Sequence, residues 1–323
     1  MADPQAPPQV VELAEQRARA RGAKDWSAAD ALRDRIDAAG WTVTDTPGGY
    51  TLEPSTVVDV AQAEPLDPGD VVSVLDRPAT ADVSVEWVVE GWPEDVERAL
   101  EAFRAHAGSR EMHYVVVDVA GQDPSRWGPD VEVVSLRQGT GWAAARNAGL
   151  RRSRGRTVLV LDGSIEPSGD VLAPLEAVLK DEGIGVCGPF GIVTKDLRQF
   201  QEAPEPGPCD AVEGYLMAFR RELLADAGMF DEKFRWYRTA DIDWSFRVKD
   251  AGYRCEVVSV PVTKHPHRMW FETPPDERAK WSKRNFYRFL DRFRDRWDLV
   301  LAGKPQQRDP EEHDEGLTLP EGR

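Results

Sequence analysis

Two aspartates stand directly behind short apolar runs. Asp118 follows Tyr114-Val115-Val116-Val117, and Asp162 follows Val158-Leu159-Val160-Leu161. A carboxylate in such a place accepts hydrogen bonds from a ligand or holds a hard cation. Two more, Asp241 and Asp243, open a segment of helical character at 241–250. There a carboxylate either caps the helix or serves as a general base. His265 and His267 follow the apolar run 257–262. Two imidazoles so placed are proton carriers or metal ligands, or ordinary members of a His-Pro-His turn. Arg146 lies within Gly141-Trp142-Ala143-Ala144-Ala145-Arg146-Asn147-Ala148-Gly149. Its fixed, planar charge suits a phosphate or simply a helix surface. Any one aspartate alone is a turn residue or a cap. A pair behind strands, with a glycine-bounded segment between them, points to a ligand site.

The elements that must position these groups are legible as periodicity. Val83, Val85, Trp87 and Val89 alternate as in a strand. Pro93 opens a helix in which Val96, Leu100 and Phe103 recur at helical spacing. The runs 114–117, 131–136 and 158–161 are apolar on both faces, as in strands covered on both sides. Segments 142–153 and 170–182 read as helices. This alternation predicts an α/β domain with a mainly parallel sheet. Ligands of such sheets bind beyond the carboxyl ends of the strands, where Asp118 and Asp162 stand.

The chain has 323 residues, with 41 basic and 57 acidic side chains and a net charge of −16. That balance argues against a dedicated nucleic-acid binder. Its three cysteines, Cys187, Cys209 and Cys255, are too far apart for a CxxC knuckle and fit a reducing compartment. Residues 1–10 lack the basic start and apolar stretch of a signal peptide, and no apolar run nears the ~18 residues that span a bilayer. The expected location is cytoplasmic. The expected organisation is a flexible tail at 1–9, a helical hairpin unit at 10–52, an acidic Pro-rich linker at 53–81, the α/β domain at 82–300 and an acidic flexible tail at 301–323. In the hairpin unit, Ser27 and Asp30 suggest a capping box, Gly40 a helix stop and Asp45-Thr46-Pro47-Gly48-Gly49 a β-turn. Within the linker, Val71–Leu75 reads as one short strand. Segment 276–297 holds eight basic and four acidic residues among aromatics. Such a helix can lie on an anionic membrane at the inner face, or pack on the domain with a solvated basic side; the second is preferred.

The order Val83 to Asp118, Gly141 to Gly149 and Leu161-Asp162-Gly163-Ser164 resembles the inverting family 2 glycosyltransferases of GT-A fold. Further on, Gly228-Met229-Phe230-Asp231-Glu232-Lys233-Phe234 is similar to that family's GxFDExF stretch. Ala240-Asp241-Ile242-Asp243-Trp244, with Arg247 and Gly252-Tyr253, is similar to its EDxDLxxR…GY segment. The resemblance covers roughly residues 82–297. It implies a Rossmann-like nucleotide-diphospho-sugar transferase that moves a sugar from a UDP- or dTDP-sugar to an acceptor hydroxyl. The acceptor would be a saccharide, a lipid-linked molecule or a small molecule. Asp118 would meet the donor base, Arg146 the diphosphate, Asp162 the ribose and a divalent cation (Mg²⁺ or Mn²⁺), and His265 or His267 the cation. Asp241 would be the catalytic base, with Asp243 beside it. Ser164 stands where the family has a second carboxylate, so cation dependence is expected to be weak; Glu166 is a conceivable substitute. Ala240 replaces the usual glutamate.

Residues 10–52, with Ala18 to Asp34 followed by Gly40 and Asp45 to Gly49, are similar to the C-terminal end of cysteinyl-tRNA synthetases. This implies a borrowed helical hairpin without aminoacylation. Its basic residues suit docking or dimerisation better than RNA. The competing reading of the whole chain is an inactive transferase-like adaptor that binds RNA or protein through this hairpin.

Overall fold

A computed structural model describes residues 6–38, 41–46, 49–54 and 64–304. Helices α1 (Pro8–Gly22) and α2 (Trp26–Ala38) pack against the antiparallel pair β1 (Trp41–Thr46) and β2 (Gly49–Pro54). Val10, Ala14, Ile36, Trp41 and Val43 form their small core. Arg17 is buried and grips Asp45 through two hydrogen bonds of 2.8 and 3.0 Å, tying α1 to β1. The capping residue of α2 is Asp25, whose carboxylate accepts from the Ala28 N–H at 3.1 Å. The expected Ser27–Asp30 box is inside the helix, because Asp25 supplies the cap two residues earlier. Gly40, Pro47 and Gly48, residues 1–5, 55–63 and 305–323 lie outside the described residues.

The α/β domain is built on eight strands in the order β11-β14-β8-β13-β6-β3-β4-β5. They are β3 (Ala81–Val89), β4 (Met112–Asp118), β5 (Val131–Ser135), β6 (Gly155–Leu161), β8 (Ile184–Gly188), β11 (Gly207–Cys209), β13 (Leu216–Arg220) and β14 (Arg254–Val257). Strands β3, β4, β5 and β6 are mutually parallel, as are β8 and β14. Strand β13 runs antiparallel between β6 and β8. The mainly parallel sheet follows the sequence pattern, and the reversed strand was not foreseen.

Helices cover both faces. On one side Trp87 and Phe103, from α3 (Pro93–His106), meet edge to face at 5.7 Å, near Leu175 of α5 (Leu172–Leu179). On the other, α4 (Trp142–Arg152) and α7 (Ala240–Asp250) pack down, with Trp244 on Phe219 at 4.8 Å. Gly149 lets α4 approach β3: a Cβ there would fall 2.4 Å from the Glu86 carboxyl carbon. The amphipathic helix α9 (Pro275–Phe293) buries Phe286, Phe289 and Phe293 against Phe246 of α7. Its apolar side is therefore consumed inside the domain, and its basic side faces out.

No strand forms at Val71–Leu75. Pro68–Asp70 is a 3₁₀ turn, Val71 and Val74 are buried, and the segment is held by Arg151 on the Pro68 carbonyl at 2.7 Å and Arg152 on the Val72 carbonyl at 2.9 Å. Residues 64–80 thus run along the α/β domain, with Leu66 in a single bridge to Leu136.

At the sheet edge opposite the strand carboxyl ends, Ser84, His113 and Glu132 make a buried chain across β3, β4 and β5. Ser84 Oγ lies 3.0 Å from His113 Nδ1, and His113 Nε2 lies 2.9 Å from Glu132 Oε2. Arg152 and Arg154 also meet the Glu132 carboxylate. Burial alone would raise that carboxyl. The hydrogen bond from His113 and the two guanidinium charges outweigh it and bring Glu132 down to about 2. Burial keeps His113 below its ordinary range despite the opposing pull of Glu132. A carboxyl depressed in the fold stabilises above its unfolded value and loses that contribution as pH falls toward the folded one. Urea unfolding of wild type and Glu132→Gln should differ by a constant amount above pH ~5, and by about 2–3 kcal/mol less near pH 2. A gap that does not change with pH would show that Glu132 is not held charged.

Candidate active site

The parallel strands deliver Glu90, Asp118 and Asp162 to one edge of the sheet, after β3, β4 and β6 respectively. Because β13 is antiparallel, its beginning reaches the same edge. The Asp162 N–H donates to the Tyr215 carbonyl at 2.9 Å, at the point where Leu161 pairs with Leu216. Strands β7 (Ile165–Pro167) and β15 (Val262–Lys264) pair antiparallel above this edge and bring His265 and His267 to it. Helix α7 starts there, after Thr239 in the left-handed region at φ 71°.

Asp162 and His267 form the centre. Asp162 Oδ1 accepts from the Ser164 N–H at 2.8 Å and from Ser164 Oγ at 2.5 Å, while Oδ2 faces His267 Nε2 at 3.3 Å. Burial would raise the Asp162 carboxyl, but His267 and the two Ser164 bonds hold it well below the ordinary range. Burial disfavours charge on His267 too, and Asp162 reverses that, raising the imidazole above its ordinary value. His267 is boxed by the rings of Tyr237 at 4.5 Å and Tyr215 at 5.7 Å, both edge to face. A cavity of about 40 Å³ opens beside the pair, lined by Glu90, Trp92, Asp95, Asp162, Ser164 and His267. Burial pushes Glu90 up to about 7.

Asp241 stands at the start of α7. Its Oδ2 accepts the Gly214 N–H at 2.8 Å, and burial raises the carboxyl above the ordinary range despite that bond. Glu213 precedes Gly214, and burial with the Asp241 charge pushes it up to about 7.

The other expected residues are placed differently. Asp118 reaches the edge, but its carboxylate accepts three backbone N–H groups, from Ala120 (2.8 Å), Gly121 (3.1 Å) and Gln122 (2.6 Å), and so shapes the loop 119–122. Arg146 is 2% exposed beneath the edge. It donates to the Glu86 and Leu161 carbonyls at 3.2 and 3.0 Å, which turns it away from the place of a diphosphate clamp. Asp243 is fully buried on the far side of α7, bound by Arg292 at 2.6 Å and Arg247 at 3.2 Å; it ties α9 to α7 and does not stand beside Asp241 as a second base. His265 faces Glu166 at 2.6 Å across the β7–β15 pair, with Arg98 3.5 Å from the same carboxylate. Neither His265 nor Glu166 therefore joins Asp162. Glu90, Glu213, Tyr215, Tyr237 and Lys264 also line this region and carried no sequence signal beyond their proximity to strand ends.

A cation would find Asp162 Oδ2 and His267 Nε2 facing one another. Among the described residues, no group of three His, Cys, Asp or Glu side chains is gathered closely enough to hold a metal ion. Two protein ligands fit a cation whose shell is completed by a ligand's oxygens, not a closed structural site.

Residues 112–243 match the family described as Glycosyl transferase family 2. The α/β domain is a family 2 glycosyltransferase domain. The fold is shared with GalNAc-T7, solved with UDP, GalNAc and Mn²⁺, at a TM-score of 0.54 and 17% identity over 65% of this chain and 48% of that one. This glycosyltransferase domain is joined to a second matched unit. Residues 3–51 match the Cysteinyl-tRNA ligase anticodon binding domain. They resemble the cysteine–tRNA ligases of Opitutus terrae, at 51% identity over 51 residues, and Caulobacter vibrioides, at 56% over 43 residues. These stretches cover 16% and 13% of this chain and 11% and 9% of the ligases, so the chain spans about a tenth of those relatives. No described helix is long and apolar enough to cross a membrane.

The glycosyltransferase domain's two helix-start aspartates should respond differently to removal. Asp243→Ala leaves Arg247 and Arg292 without their buried partner and should lower unfolding stability by about 3 kcal/mol. Asp241→Ala removes two bonds to backbone N–H groups, from Gly214 and from the adjacent Ile242, and should cost about 1–2 kcal/mol. Chemical denaturation of both variants reads the difference, and equal losses would contradict the separate roles.

Proposed function

We propose that the chain transfers a sugar from a nucleoside-diphosphate donor, a UDP- or dTDP-sugar, to an acceptor hydroxyl with inversion. The observation that carries this reading is the Asp162–His267 pair at the sheet edge, with Tyr215 against His267 and Asp241 held by the N–H of the adjacent Gly214. One side offers positive charge and hydrogen bonds to a diphosphate. The other offers a carboxylate to an incoming hydroxyl. The family membership of the domain supports the same reading.

Asp241 accepts the acceptor's proton as its oxygen attacks the anomeric carbon. The bond from that carbon to the diphosphate oxygen breaks, and the electron pair leaves with the diphosphate. A carboxyl raised by burial is a stronger base near neutral pH than an exposed one. The Gly214 N–H keeps Oδ2 oriented. His267, fixed by Tyr215 and Tyr237, places its charge opposite the base when no cation is bound. Asp118 acts through the loop 119–122 that it holds, a wall for the donor base. A divalent cation held by Asp162 and His267 would neutralise diphosphate charge when bound. The N-terminal unit serves docking, since Arg17 and Arg21 are both engaged by Asp45.

Asp241→Asn keeps the oxygen that meets Gly214 but cannot take the proton. It should bind UDP or dTDP as wild type does and lose roughly 10²–10⁴-fold in turnover, read as nucleoside diphosphate release. Full turnover would remove Asp241 from the mechanism. Ser164→Asp returns a second carboxylate and should tighten Mn²⁺ binding in the presence of nucleotide by roughly tenfold. Titration of Mn²⁺ by electron paramagnetic resonance reads this. Affinity that survives Asp162→Ala would place the ligands elsewhere.

A further inference from the structure

Two charged side chains at the crevice are unused by the reaction as described. Glu213 is half-buried, one peptide unit from the N–H that Asp241 holds. Lys264, at the end of β15, is also half-buried, with its ammonium 3.6 Å from the Tyr215 ring centre and 4.8 Å from that of Phe190. Among the described residues neither has a hydrogen-bond or ion-pair partner within reach, yet each lies in the other's field. Burial pulls the Lys264 ammonium below its ordinary range. Leaving a partly desolvated carboxylate and ammonium unmatched is costly unless a ligand completes them.

We infer that Glu213 and Lys264 form an acceptor subsite for a neutral vicinal diol of saccharide or cyclitol type, with Glu213 accepting from one hydroxyl and Lys264 donating to the next. The inference rests on Asp241 as the base and names the class of its acceptor. A hydroxyl both donates and accepts, so two adjacent hydroxyls satisfy a carboxylate and an ammonium together. A simple alcohol meets only one of them. An anionic acceptor group would gain from Lys264 and Arg238 but meet the charge of Glu213, Asp241 and Glu202, three carboxylates against two cations acting on this spot. The Tyr215 ring holds Lys264 in place and, 5.7 Å from the His267 ring, links the subsite to the donor side.

The test is saturation-transfer NMR on the full chain with UDP or dTDP and Mn²⁺. The probes are methyl α-D-mannopyranoside, methyl α-D-glucopyranoside and myo-inositol, with 1-propanol and methyl α-D-glucuronide as controls. At least one diol should bind and neither control should. Glu213→Gln and Lys264→Met should each weaken diol binding roughly tenfold or more, the effect of one lost charge-assisted hydrogen bond. Lys264→Arg should restore most of it. Nucleotide affinity should stay within about twofold of wild type in all three, which a general disturbance of the fold would not permit. A wild type that binds nucleotide but no diol, or diol binding unmoved by Glu213→Gln and Lys264→Met, overturns the subsite and leaves the transferase reading standing. A wild type that binds no nucleotide overturns both.

Discussion

One backbone arrangement makes the site: the antiparallel strand β13 set between β6 and β8. A wholly parallel sheet would bring only strand ends to the crevice. Reversing β13 brings a strand beginning there too, and the bond from the Asp162 N–H to the Tyr215 carbonyl pins the two segments together. Everything on the acceptor side depends on it. Glu213, Gly214 and Tyr215 arrive on that strand's approach, and Gly214 fixes Asp241. Tyr215 meets the His267 ring, while its neighbour Gly214 holds Asp241, the proposed base.

Charge is distributed to match. Asp162 and His267 each favour the other's charged form against burial, which leaves the donor side polar and preorganised. Among the described residues Asp241, Glu213 and Glu90 have no ion-pair partner, and burial raises all three. Groups whose environments separate their proton affinities are the usual sign of divided acid and base roles. Beneath them, Arg146 spends its guanidinium on the carbonyls of Glu86 and Leu161 and stiffens the floor that carries both sides.

The sequence made the parallel core legible because apolar runs followed by aspartate mark strand ends whatever the neighbours are. Asp118 and Asp162 were legible that way; Asp241 was legible from its place at a helix start and from the likeness to the family's EDxDLxxR…GY segment. Which way a helical side chain points was harder to read. Arg146 and Asp243 have the right type and spacing, but α4 and α7 turn them inward, onto backbone carbonyls and onto Arg292. Asp241 and Asp243 are two residues apart, which on a helix places them on different faces. His265 and Glu166 were candidates for the cation until the β7–β15 register set them against each other. Glu213 and Lys264 carried no signal, since their place depends on the reversed strand and the small pair above the sheet. In the 64–80 segment, prolines and acids signalled a linker but gave no hint of the arginines on α4 that hold it.

The most direct measurement of the central claim is the anomeric configuration of the product. With an α-linked UDP- or dTDP-sugar and a hydroxyl acceptor that the chain turns over together, proton NMR of the glycoside formed reports the configuration from its anomeric coupling constant. A single displacement with Asp241 as base requires the β-glycoside. Formation of the α-glycoside would contradict the account, because it demands a second displacement or front-side attack for which Asp241 is not placed.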